Sequence, residues 1–156
     1  AFAMAKYGKH ELGMALMLAL DDFQHRLDAE LAERGFPGIR RRHRAVFMHL
    51  GAHGPSRSVD LAAAAGIRSQ SMMKIVHELE KLRLVSRTID PRDSRAKLIS
   101  LSQQGRKLLE QLNTSTQVVW VQYAQLLGVN QLETMLASLR LLVSPPHSER
   151  DKPVHR

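Results

Sequence analysis

From position 12 the apolar residues Leu12, Leu16, Leu20, Phe23, Leu27 and Leu31 recur at steps of four and three, with polar residues between them. That period puts one apolar stripe on a long helix, predicted over about 10–34. Gly35 and the Pro37-Gly38 pair stop it. A short helix is predicted over about 41–50, with Val46, Phe47 and Leu50 inward and Gly51 as its end. An Ala-rich helix over about 60–65 ends at Gly66. The next, over about 69–82, carries Met72, Ile75, Val76, Leu79 and Leu82 on one face. Its opposite face carries Gln70, Ser71, Met73, Lys74, His77 and Lys81. Two loosely alternating stretches, 84–89 and 96–101, read as strands, and the Asp90-Pro91 step between them fits a hairpin loop.

Leu108, Leu112, Val119, Tyr123 and Leu126 stripe a further long helix that begins near Ser102 and breaks at Gly128. Asn130 and Glu133 have the spacing of a capping box ahead of a last helix through Leu142. From Ser144 onward prolines and charges outnumber apolar side chains, so the tail is predicted to be disordered. Ala1-Phe2-Ala3, ahead of Met4, are read as foreign to the fold. Helix, turn, helix and hairpin in this order define a winged helix-turn-helix. The predicted fold class is mainly α with a small β-hairpin wing between flanking helices. The expected divisions are an N-terminal helix (9–34), a winged domain (35–105), C-terminal helices (106–143) and the tail (144–156).

Composition removes several alternatives. A chain of 156 residues with 44% apolar and 24% charged residues is an ordinary globular protein. It is long enough to bury a core without a metal or disulfide. With no cysteine, a disulfide framework, a Cys-ligated zinc, an iron–sulfur cluster and a thiol switch are excluded. No run approaches the roughly 18 apolar residues of a membrane span, and no secretory signal is evident, so a cytoplasmic protein without membrane contact is expected. A Gly-rich phosphate loop, a nucleophile elbow and a His-Glu-x-x-His motif are all missing, which argues against an enzyme. No cofactor is expected.

Net charge changes the picture further. It is +8 overall, and between Arg34 and Lys107 it concentrates as 16 Lys and Arg against 5 Asp and Glu. A basic middle fits double-stranded DNA as partner, although a solvated basic surface would look the same by charge alone. The 69–82 helix is about 21 Å long and fits a major groove end-on. Gln70 and Ser71 can bond base edges, Lys74 can reach a base or a phosphate, and Arg92 and Arg95 at the hairpin tip can enter a minor groove.

The stretch from Val59 to Arg106 resembles the MarR (multiple antibiotic resistance regulator) family of bacterial transcription factors. The matching text is Asp60-Leu61-Ala62, Ala65-Gly66-Ile67, Leu79-Glu80, Leu84-Val85-Ser86-Arg87, Asp90-Pro91-Arg92-Asp93-Ser94-Arg95-Ala96, Leu101-Ser102 and Gly105. The resemblance implies an obligate homodimer, with the helices of 9–34 and 106–143 as a helical dimerisation region, and a repressor presenting two recognition helices to a palindromic operator. It maps DNA contacts onto Ser69, Gln70, Ser71, Met73, Lys74 and Arg95, with Arg87 and Arg92 near phosphates and Asp93 orienting Arg95. It also implies release by a small aromatic or phenolic ligand. Phe23, Arg26, Phe47, Trp120 and Tyr123 are the candidate lining of that ligand's cleft, although aromatics at such positions are more often core.

Three positions depart from the family pattern. Arg57 and Arg68 stand where Ser or Thr usually caps the two short helices, and Arg83 stands where Gly often ends the recognition helix. Arginine cannot accept a cap hydrogen bond, so both cap arginines are expected to face phosphate. The Arg40-Arg41-Arg42-His43-Arg44 run reads either as a solvated face or as a phosphate contact. The alternatives to a ligand-released repressor are an effector-independent or architectural DNA-binding protein and a metal-responsive repressor using His43, His49 and His53. The last is disfavoured because zinc wants three or four convergent ligands, and no metal ligand is assigned.

Overall fold

The structure is a computed structural model that describes residues 11–143. The expectations for Ala1-Phe2-Ala3 and for the tail from Ser144 lie outside the described residues. The elements run α1 (Glu11–Glu33), α2 (Arg41–His53), α3 (Ser58–Ala65), α4 (Ser69–Lys81), β1 (Val85–Asp90), β2 (Asp93–Leu101), α5 (Gln103–Leu127) and α6 (Val129–Val143). The chain forms two compact units, one up to Val119 and one from Trp120.

In the first unit, α2, α3, α4 and the hairpin enclose a core around Phe47, Leu61, Met72, Leu79 and Ile99, to which α1 adds Leu31 and α5 adds Leu108 and Leu112. Burying each such side chain is worth roughly 1.5–3 kcal/mol, which fixes the order of the elements more firmly than helix propensity does. Helix α2 is longer than its sequence suggests. It continues through Gly51 to His53, and Gly54, at φ 74°, ends it. Gly51 is therefore not a stop. A Cβ there would lie 2.7 Å from the end of the flexible Leu109 side chain of α5, so glycine leaves room for that side chain.

Charged residues lock α1 to α2. The Arg44 side chain is buried and donates to Asp28 and Gln24 of α1 and to the Ile39 carbonyl at 3.3 Å. Arg40 reaches the same Asp28 at 3.1 Å. A buried cation has to be paired, and two α1 acceptors meet that demand.

Both short helices end in the same way. After α3, Gly66 at φ 65° sends its N–H to Ala63 O while Ile67 N–H reaches Ala62 O. After α4, Arg83 and Leu84 repeat the pattern onto Glu80 O and Leu79 O. Arg83 adopts φ 57°, the left-handed conformation that glycine takes without cost. The helix stop thus forms without glycine, at a cost of about 1 kcal/mol, because Leu84 anchors it in the core.

The wing is an antiparallel pair that closes more tightly than its sequence suggests. Ile89 pairs Lys97 and Asp90 pairs Asp93, with a register irregularity between them and only Pro91 and Arg92 in the turn. Ser56 adds a third short edge through mutual bonds with Ile99 at 3.0 and 2.8 Å. Ser102 then caps α5. Its Oγ accepts the Gly105 N–H at 3.0 Å and donates to Arg83 O at 2.7 Å. The approach is so close that a Cβ at Gly105 would lie 2.0 Å from Leu84 O.

In the second unit, Gly128 at φ 83° precedes α6 and its carbonyl accepts the Leu132 N–H at 3.1 Å. The Asn130–Glu133 capping box is therefore not what starts this helix. Asn130 lies inside the first turn, because the glycine has already redirected the chain.

Gly105→Ala is expected to cost about 3 kcal/mol in urea unfolding, since the clash is with backbone that cannot swing away. Arg83→Gly is expected to add about 1 kcal/mol by relieving the left-handed residue. A Gly105→Ala protein with an unchanged urea midpoint would contradict the α5 docking described here.

Candidate nucleic-acid interface

Helix α4 buries Met72, Ile75, Val76 and Leu79 and exposes Ser69, Gln70, Ser71, Lys74, His77 and Lys81. Met73 is half-buried at the edge of that face. A shallow cleft of about 450 Å³ runs along the exposed side, lined by Met73, Lys74, His77, Glu78 and Lys81. Arg68 occupies the cap of α4 without a side-chain cap bond, as Arg57 does for α3. At the wing, Arg92 and Arg95 are exposed. The Asp93 carboxylate accepts the Arg95 backbone N–H at 3.0 Å.

The cations of this face divide into two sets. Arg68, Lys74, Arg92 and Arg95 have no ion pair and no side-chain hydrogen bond among the described residues. Arg57 and Arg87, expected near phosphate, are instead committed to carboxylates. Arg87 donates to both oxygens of Glu80 at 2.5 and 2.6 Å, which holds the Glu80 carboxyl below its ordinary range and raises the guanidinium. Arg57 donates to Asp90 at 2.8 Å through Nε and lies 2.6 Å away through Nη2, with Asp93 at 3.8 Å. The reason is burial. Asp90 is only 5% exposed and needs a counterion, and Arg57 is the cation within reach. The Arg92 N–H, at 2.9 Å, and then Arg57 hold the Asp90 carboxyl below the usual carboxylate range.

The Arg40–Arg44 run also turns inward. Arg40 and Arg44 serve Asp28, and Arg42 reaches Glu78 at 3.2 Å, which leaves Arg41 as the exposed arginine without a partner among the described residues. His43 is 3% exposed and bonds Glu78 at 2.6 Å. His49 and His53 do share one helix, since Gly51 does not break it, and their rings stack at 4.4 Å. Among the described residues no three His, Asp or Glu side chains converge on a metal position.

The five ligand-cleft candidates sit apart in character. Phe47 is fully buried in the core of the first unit, Phe23 is half-buried, and Arg26 bonds Asp22 at 2.7 Å. In the second unit Trp120 is 39% exposed and Tyr123 half-buried. A second cleft of about 420 Å³ lies between the end of α2 and the wing, lined by His49, His53, Arg57 and Asp90 among others. Neither it nor the cleft on α4 includes any of the five.

Sequence reasoning missed Glu78, Glu80 and Asp90. A signal was present for the first two. At about 100° per residue they fall at the borders of the α4 apolar face, where a carboxylate can meet a neighbouring element.

An exposed helix with unpaired cations, a short helix before it and an arginine-tipped hairpin after it make this a winged helix-turn-helix, the DNA-reading module of transcriptional regulators. Residues 38–96 match the model of the MarR family. The chain is similar to a probable transcriptional regulator from Pseudomonas aeruginosa, with 26% identity and a TM-score of 0.72 over 85% of this chain and 96% of that one. It is also similar in fold to CouR from Rhodococcus jostii RHA1 bound to p-coumaroyl-CoA, with 24% identity and a TM-score of 0.68 over 88% and 95%. A mutant MarR from E. coli complexed with operator DNA superposes with 17% identity and a TM-score of 0.73 over 86% and 94%. No curated protein sequence matches the chain. Residues 38–96 thus resemble the winged domain of the MarR family, and the chain shares the fold of transcriptional regulators of that type. Among the described residues no single helix is long and apolar enough to cross a membrane.

The Arg57–Asp90 pair predicts a pH dependence. A carboxyl whose folded pKa is depressed contributes stability above its unfolded pKa, about 3.9, and loses it as pH falls through the folded value. The difference in melting temperature between wild type and Asp90→Asn is expected to be full at neutral pH and to shrink below about pH 4. A difference that grows with acid would contradict the pair.

Proposed function

We propose that the chain is a homodimeric repressor that reads a palindromic operator and is released by a small aromatic effector. The observation that carries the dimer is the first half of α1. Leu12, Met14, Met17 and Leu18 are each about 60% exposed, although the helix has the period of a packed one. Within the first unit the stripe is used only at Leu27 and Leu31. An apolar run of this length left in water marks an interface, and a second copy of the same helix is its simplest partner.

Reading of DNA rests on the exposed face of α4 with Ser69, Gln70, Ser71, Met73 and Lys74, flanked by Arg68 and by Arg92 and Arg95 of the wing. Two such helices in a dimer engage successive major grooves about 34 Å apart. The aromatic effector is supported by the likeness to CouR, which was solved with p-coumaroyl-CoA. An effector with different affinity for two spacings of the recognition helices shifts the population between them, and a shift of a few ångströms breaks register with the groove.

Leu16→Glu places a charge in the proposed seam. The variant is expected to sediment as a monomer and to lose operator affinity by on the order of a hundredfold, because the second half-site no longer adds to the first. A variant that stays dimeric contradicts the role given to α1. Sequencing of genomic fragments retained by the wild-type protein is expected to yield half-sites one helical turn apart. Retention without sequence preference contradicts the operator reading.

A further inference from the structure

Glu78 and Glu80 lie about 200° apart around α4, one at each border of its buried face. Different elements hold them. Glu80 is bound by Arg87 of β1 through two bonds. Glu78 is bound from α2, by His43 at 2.6 Å and by Arg42 through Nε and Nη2 at 3.3 and 3.2 Å. His43 is itself fixed at both ring nitrogens. Its Nδ1 accepts the Arg40 N–H at 3.0 Å, so the ring proton sits on Nε2, the nitrogen that donates to Glu78. These bonds hold the Glu78 carboxyl below its ordinary range, His43 contributing most.

We infer that Glu78 is a positioning residue for DNA reading: held by His43 and Arg42, it sets the roll of α4 and hence the aim of Gln70, Ser71 and Lys74. The inference rests on the DNA-reading function proposed above. Apolar packing holds α4 without directional bonds, and hydrogen bonds at its borders add a directional constraint on its roll. A hydrogen-bonded carboxylate at each border opposes roll in either direction. The geometry makes this matter. At a side-chain radius of about 6 Å, a roll of about 15° moves a tip by about 1.5 Å, enough to break a hydrogen bond to a base edge. Long lysine and arginine side chains can follow a phosphate through the same displacement. Losing the clamp therefore erodes sequence discrimination and leaves charge-driven binding in place.

The test compares Glu78→Ala with Glu78→Gln. Both variants remove the charge, so both change affinity for random DNA alike, but only glutamine keeps an acceptor for His43. The readout is the ratio of Kd for random duplex to Kd for the selected operator, at one salt concentration, together with thermal melting. Glu78→Ala is expected to lower this ratio roughly tenfold relative to Glu78→Gln, the order of one mismatched base pair, with salt slopes equal between the two. A merely structural role would lower both affinities together and leave the ratio intact. If wild type discriminates strongly and Glu78→Ala discriminates equally well, the inference is overturned while the DNA-reading function stands. If wild type shows a ratio near one, the DNA-reading function itself fails.

Discussion

The demand of a buried charge for a partner governs this fold, and the Arg57–Asp90 pair shows it most directly. Asp90 closes the wing at the start of a two-residue turn, and its carboxylate has almost no access to water. It holds the Arg92 N–H within the turn and Arg57 at the head of α3, so one side chain joins the hairpin to the helix-turn-helix. Without that join, the wing would be held to the helices by the Arg87–Glu80 pair, the short Ser56–Ile99 bridge and the core contacts of Val85 and Ile99. The distance between wing tip and recognition helix decides whether both can engage one duplex, so under the proposed function the pair sets a distance on which DNA reading depends.

The same demand sorts the basic residues. The strongly basic middle of the chain is not a uniform cationic surface. Arg40, Arg42, Arg44, Arg57 and Arg87 each answer a carboxylate. Those pairs form successive ties from α1 to α2, from α2 to α4, from α3 to the wing and from α4 to β1. Among the cations left unpaired in the described residues, Arg68 at the cap of α4, Lys74 on it, and Arg92 and Arg95 on the wing lie where a winged helix meets phosphate. Net charge therefore overstates the electrostatic footprint, and the geometry of pairing defines it better.

Much of this was legible in the residues. Apolar periods located the described helices other than the Ala-rich α3, because burial of one face imposes them, and the hairpin was marked by Asp90-Pro91. The misreadings have physical causes. Gly51 reads as a stop from local propensity, yet it is retained inside α2 for the approach of Leu109, a tertiary requirement no local pattern reveals. Arg83 reads as an obstacle to the helix end, yet the burial of Leu84 overrides its left-handed cost. The carboxylate partners of Arg57 and Arg87 were not legible, because they lie 33 and 7 residues away along the chain and pairing of that kind leaves no periodic trace. The exposed face of α4 was legible throughout, since it is the complement of the apolar face.

The central claim is that the free and the paired arginines differ in what they do. The direct measurement is the slope of log binding constant against log salt for wild type and for Arg68→Ala, Arg95→Ala and Arg87→Ala on one DNA duplex. Each phosphate contact contributes about 0.9 to that slope in magnitude. The account predicts that Arg68→Ala and Arg95→Ala each flatten it by about one, while Arg87→Ala lowers thermal stability and leaves the slope unchanged. Equal flattening by all three substitutions would contradict it.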